Sequence, residues 1–130
     1  MGNTHSINKI NFEDMKHAII NNYIIINTLS ENKQECLIYN TVMLHNEETV
    51  INNCIKNNLY EKIIIYGENS QDDKIISKYH QLYKLGFTKI YVYIGGLFEW
   101  LLLQDIYGKD IFQTTTDELD ILKYKGTRLL

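Results

Sequence analysis

Apolar residues fall along the chain in short unbroken blocks separated by longer stretches of helical spacing. Residues 23–26, 62–66 and 90–94 are β-branched and aromatic runs of strand length, continuous as strands buried on both faces are. Residues 37–39 form a shorter run of the same kind. Between these blocks the period changes. Asn11 reads as a helix cap with Asp14 in the first turn, Ile10 placed to staple onto Met15, and Phe12, Met15, Ile19 and Ile20 on one face. Asn46 and Glu47 open a second helix whose stripe is Val50, Ile51, Cys54 and Ile55, closed by Asn57 and Asn58. Ile75, Ile76, Tyr79, Leu82 and Tyr83 predict a third, ended by Gly86 in a left-handed cap. Residues 97–107 predict a fourth, mostly buried helix, and Thr115 with Glu118 predicts a capping box for a last short helix ending near Tyr124. Alternating strands and helices predict an α/β fold, a central parallel sheet with helices on both faces.

A chain of 130 residues, 45% hydrophobic and without proline, is one domain's worth of core. We divide it into a tail, residues 1–6, and a domain, residues 7–130. Thirteen basic residues, of which only Arg128 is arginine, face sixteen acidic ones, for a net charge of −3. No basic stripe is available to neutralise phosphates, so nucleic acid is not an expected partner. Two cysteines without a CxxC pair, and no secretory signal, point to a reducing, cytoplasmic setting. No apolar run approaches the roughly 20 residues of a membrane span.

The block ending at Tyr66 leads directly into Gly67, Glu68, Asn69, Ser70, Gln71, Asp72 and Asp73, and then into a helix. In open parallel sheets such a strand-to-helix loop is where ligands meet backbone amides. Together with Gly86-Phe87, Ile90, Tyr93, Gly95-Gly96 and Trp100, this order resembles the rhodanese-like domain family over about residues 7 to 125. The resemblance implies a cysteine nucleophile immediately after the strand, where sulfurtransferases of the family carry a persulfide. Gly67 occupies that place here. It also implies an acidic and arginine pair at the end of an earlier strand, where Asn27-Thr28-Leu29 retains neither charge. The expectation is therefore a rhodanese-like domain without its nucleophile, acting as a binding, scaffold or regulatory module, with no cofactor. The rival is a sulfurtransferase using a displaced cysteine such as Cys36.

Charge along the loop argues in the same direction. Glu68, Asp72 and Asp73 precede the first basic residue, Lys74, so an incoming anion or a thiolate would be repelled. Two roles remain open for these carboxylates: Asp72 or Asp73 caps the following helix, or the acidic loop recognises a basic group on a protein partner. No GxGxxG or GxxxxGK[ST] spacing supports a nucleotide.

Cys54 falls on an apolar helical stripe and reads as core, whereas Cys36 has room to be exposed. His5, His17, His45 and His80 lack metal-ligand spacing, so no metal site is expected. Trp100, with Phe98 and Leu101 to Leu103, reads as core packed behind Gly95 and Gly96. Finally, Met1-Gly2-Asn3-Thr4-His5-Ser6 matches the M-G-x-x-x-[ST] pattern, which makes Gly2 a candidate for N-myristoylation and for weak, peripheral membrane association.

Overall fold

Residues 6–130 are described by the computed structural model. Strands β1 (Lys9–Ile10), β2 (Ile24–Asn27), β3 (Ile63–Tyr66) and β4 (Ile90–Tyr93) form one parallel sheet in the order β1-β4-β3-β2. Helices α1 (Phe12–Ile20), α2 (Glu47–Asn57), α3 (Lys74–Lys84) and α4 (Gly96–Tyr107) complete the αβ alternation. Helix α1 carries the chain from β1 to the far edge at β2, and α2 and α3 step it back. Right-handed crossovers in opposite directions must use opposite faces.

The core divides accordingly. Met15 and Ala18 of α1 and Leu97, Trp100 and Leu101 of α4 pack on Ile25, Ile64, Tyr66 and Tyr93. Ile51 and Cys54 of α2 and Ile75, Tyr79 and Leu82 of α3 pack on Ile26, Ile63, Ile65, Ile90 and Val92. All four residues of β3 are buried, as an unbroken apolar run at the centre of a sheet requires.

Local signals account for the helix ends. The Asn11 side chain accepts the Asp14 N–H while Asp14 accepts the Asn11 N–H, a reciprocal capping box. Helix α3 ends in a Schellman motif: Phe87 N–H donates to the Leu82 carbonyl, Gly86 N–H donates to that of Tyr83, and Gly86 has φ +107°.

Several expectations are corrected. Residues 37–39 are not a strand. Ile38 makes only one bridge, to Thr114, and its amide donates to the Tyr66 hydroxyl. The two-residue strand β1, unseen in the sequence pattern, completes the sheet instead. No capping box joins Thr115 and Glu118: the Thr115 hydroxyl donates to the Glu35 carbonyl, and the last element is a 3₁₀ turn, Ile121–Tyr124. Helix α4 buries Leu97, Trp100 and Leu101 but exposes Leu102, Ile106 and Tyr107. Ile20, Ile55 and Tyr83 also project to solvent, because each lies at the margin of its apolar stripe. Gly2 lies outside the described residues.

Candidate functional site

The parallel strands end together at one edge of the sheet, where Asn27, Tyr66 and Tyr93 stand in register on β2, β3 and β4. The backbone then turns into the loop of residues 67–73. Gly67 is buried at the start of this loop, and its carbonyl accepts the Leu97 N–H at 2.9 Å while that of Glu68 accepts the Phe98 N–H at 2.8 Å. Those donors are among the first amides of α4, which have no partner within their own helix. The contact is close enough to forbid a side chain. A Cβ on Gly96, at φ +67°, would stand 2.6 Å from the Gly67 oxygen and 2.9 Å from the Asn69 nitrogen. This explains the second glycine of the Gly95-Gly96 pair.

Asp72 is turned inward. One carboxylate oxygen accepts the Glu68 N–H and the Thr28 hydroxyl, each at 3.1 Å, and the other accepts the Lys74 N–H at 3.0 Å. A Cβ built on Gly67 would overlap this carboxylate and stand 2.9 Å from the Thr28 hydroxyl oxygen. The volume that a side chain after β3 would fill is thus occupied by the Asp72 carboxylate, which has also taken the loop's inward-facing amide. Asp73 flanks α3 but makes no side-chain cap, so of the two candidate caps Asp72 is the one engaged.

Other loop side chains are tied to distant segments. Glu68 accepts from Lys33 at 2.8 Å. Asn69 accepts the Gln71 N–H and donates to the Tyr124 carbonyl at 2.8 Å, and Gln71 accepts the Thr127 N–H at 2.8 Å. The chain after the 3₁₀ turn therefore lies as a strap along the loop. It brings Lys123 and Lys125 to a cleft of about 530 Å³ lined also by Lys33, Glu68, Asp72, Asp73 and Lys74. The loop looked purely acidic in sequence, and three of these lysines are distant in the chain. Lys33 and Thr127 carry no local signal of a role here, and Thr28 is reached from the sequence only within the Asn27-Thr28-Leu29 segment that the family resemblance brings to the site. The Lys123-Tyr-Lys125-Gly-Thr-Arg128 run was visible, but nothing in the chain indicates where it docks.

Cys36 is buried at 3% exposure, against the expectation of an accessible thiol. Its Sγ donates to the Thr116 carbonyl at 3.4 Å, and burial pushes its pKa up. Cys54 is buried on its helical stripe. Among the described residues no group of three or more His, Cys, Asp and Glu side chains could hold a metal ion, and no helix is long and apolar enough to cross a membrane. Trp100 is fully buried, donates from Nε1 to the Gln113 carbonyl at 3.0 Å and stacks edge-on against Tyr93 and Phe112.

Two tyrosines frame the site. The Tyr66 hydroxyl accepts the Ile38 N–H at 3.1 Å and shares a 2.8 Å hydrogen bond with Thr41 Oγ1. The Tyr93 hydroxyl, equally buried, makes no hydrogen bond of ordinary geometry among the described residues, and the Glu99 carboxylate beside it, by its charge and a weak hydrogen bond, helps hold its proton on. Burial raises both phenol pKa values far above the ordinary tyrosine range.

No curated protein sequence matches the chain at a significant level. The fold is similar to the crystal structure of the Alr3790 protein from Anabaena sp., at 17% identity, with a TM-score of 0.55 over 76% of this chain and 88% of that one. It is likewise similar to the solution structure of the rhodanese-like domain of Alr3790, at 15% identity, with a TM-score of 0.53 over 96% of each chain. A family model described as the rhodanese-like domain matches residues 13–103, which takes in the sheet from β2 onward, the 67–73 loop and most of α4, and the chain belongs to that family.

Proposed function

We propose that this rhodanese-like domain works by binding, as a scaffold or regulatory module, and that the loop of residues 67–73 is its recognition surface. One observation carries the reading: the Asp72 carboxylate fills the space beside Gly67 where the family resemblance puts a nucleophilic cysteine. Covalent sulfur transfer needs a thiolate at that place. Gly67 supplies none, and a fixed carboxylate would destabilise one placed beside it. Burial and the raised pKa of Cys36 speak against a displaced nucleophile.

The experiment is thiosulfate-to-cyanide sulfur transfer by the purified protein, by Cys36→Ser and by Gly67→Cys. None should exceed a denatured control, and Gly67→Cys should form persulfide more readily once Asp72→Ala is added. Wild-type turnover that disappears in Cys36→Ser would install the sulfurtransferase reading instead.

Weak, reversible membrane attachment through Gly2, from a cytoplasmic pool, belongs to the same proposal and is supported by the Met1-to-Ser6 motif alone. Co-expression with an N-myristoyltransferase should add one acyl chain to the mass and carry a minority of the protein onto liposomes. Gly2→Ala should abolish both, and an unmodified mass would remove this element.

A further inference from the structure

The cleft over the loop mixes charges, four lysines against three carboxylates, in a protein of net charge −3. The two signs are not equally available to a partner. Glu68 is paired with Lys33, and both oxygens of Asp72 are engaged by Thr28 and by backbone amides, which leaves only Asp73 unengaged among the acids. Lys74 and Lys125 are exposed and, among the described residues, their ammonium groups have no hydrogen-bond or ion-pair partner. Lys33, paired with Glu68, and Lys123, paired with Glu118 at 3.1 Å, stand against the Tyr124 ring at 5.8 Å and 5.6 Å, so both are held at the rim and add positive charge there only in part. The N-terminus of α3 adds further positive potential at the same wall.

We infer that the cleft docks an acidic segment of a partner protein, whose carboxylates meet Lys74 and Lys125 and are flanked by Lys33 and Lys123. This rests on the binding reading above and supplies its partner's chemistry, with a sign opposite to the one that the loop's own sequence suggests. A basic segment would meet one unengaged carboxylate and two unengaged ammonium groups, with Lys33 and Lys123 already paired to Glu68 and Glu118. A small oxyanion would find the inward amide already occupied by Asp72, whereas an extended acidic segment can reach rim lysines contributed by three separate stretches of chain.

The test is fluorescence anisotropy with a labelled oligo-glutamate peptide and an oligo-lysine peptide of equal length, across a salt series. The full chain should bind oligo-glutamate and release it as salt rises. Lys74→Glu with Lys125→Glu should weaken binding roughly tenfold, since rim charges act through screened contacts that reversal turns repulsive. Lys84→Glu with Lys89→Glu, away from the cleft, should leave it unchanged. Preference for oligo-lysine, no binding, or equal loss in the control pair would each overturn the proposal while leaving the non-catalytic reading standing. Sulfur transfer by the same preparation would overturn that reading and leave the peptide result intact.

Discussion

The connections β3–α3 and β4–α4 leave adjacent strands at the same edge of the sheet, yet they are built from opposite materials. After β4 the chain turns in two residues, and the turn works by lacking a side chain: Gly96 brings α4 against the backbone of Gly67, Glu68 and Asn69. After β3 the chain takes seven residues, and these are held by side chains reaching elsewhere, to Thr28, Lys33, Tyr124 and Thr127. One connection is a packing device, and the other is a polar network whose internal carboxylate fills the space beside Gly67. The tyrosines that precede them differ in the same way: the Tyr66 hydroxyl is hydrogen-bonded to Ile38 and Thr41, whereas Tyr93 is held by packing in the core, edge-on to Trp100.

The packing device should be the more fragile of the two. Trp100→Ala removes the largest fully buried side chain and its hydrogen bond to Gln113, and should cost about 3 to 5 kcal/mol in urea denaturation. Gly96→Ala forces a side chain into a left-handed backbone and against the Gly67 carbonyl, and should cost about 3 kcal/mol. A loss below about 1 kcal/mol for Gly96→Ala would mean that the two connections are not in rigid contact.

The polar network should yield less. Asp72→Ala leaves two N–H groups without an acceptor at a half-buried site and the Thr28 hydroxyl with only its long 3.5 Å contact to the Tyr66 carbonyl, and should cost about 1 to 2 kcal/mol. Water can enter from the cleft to replace part of what is lost. A cost equal to that of Gly96→Ala would make the loop as structural as the glycine turn and weaken its reading as a recognition surface.

This contrast also marks what sequence could show. The glycine turn, Trp100, the central run of β3 and the Schellman end of α3 are local, because spacing and residue type suffice to place them. The contents of the 67–73 loop are not. In sequence, Asp72 fits a capping role first and a partner-facing one second, and the choice depends on Thr28 from β2 and on the volume left by Gly67. The lysines of the cleft were invisible as a group, because Lys33, Lys74 and Lys125 meet only through the fold. Residues 37–39 mislead for a related reason: an apolar Leu-Ile-Tyr run predicts a strand, but here the ladder groups are spent on Tyr66, Thr114 and Thr41.

The smallest effects should separate the two tyrosines. Tyr66→Phe strands the buried Ile38 N–H and should cost about 1 kcal/mol near neutral pH, whereas Tyr93→Phe removes a hydroxyl that makes no hydrogen bond of ordinary geometry and should change stability by less than about 0.5 kcal/mol, in either direction. At alkaline pH the two behave alike. Each phenol has a folded-state pKa raised by burial above the ordinary 10.0. Their contribution is therefore complete below pH 10 and declines as pH rises beyond it, because the unfolded chain releases protons that the folded chain retains. While a phenol stays protonated only in the fold, each further pH unit removes on the order of 1 kcal/mol. Urea midpoints from pH 8 to 11 should therefore fall for the wild type and fall less steeply for either Phe variant. A Tyr93→Phe protein with the full wild-type alkaline slope would show that its hydroxyl reaches solvent, and with it that the β4 end of the sheet is less tightly packed than the β3 end.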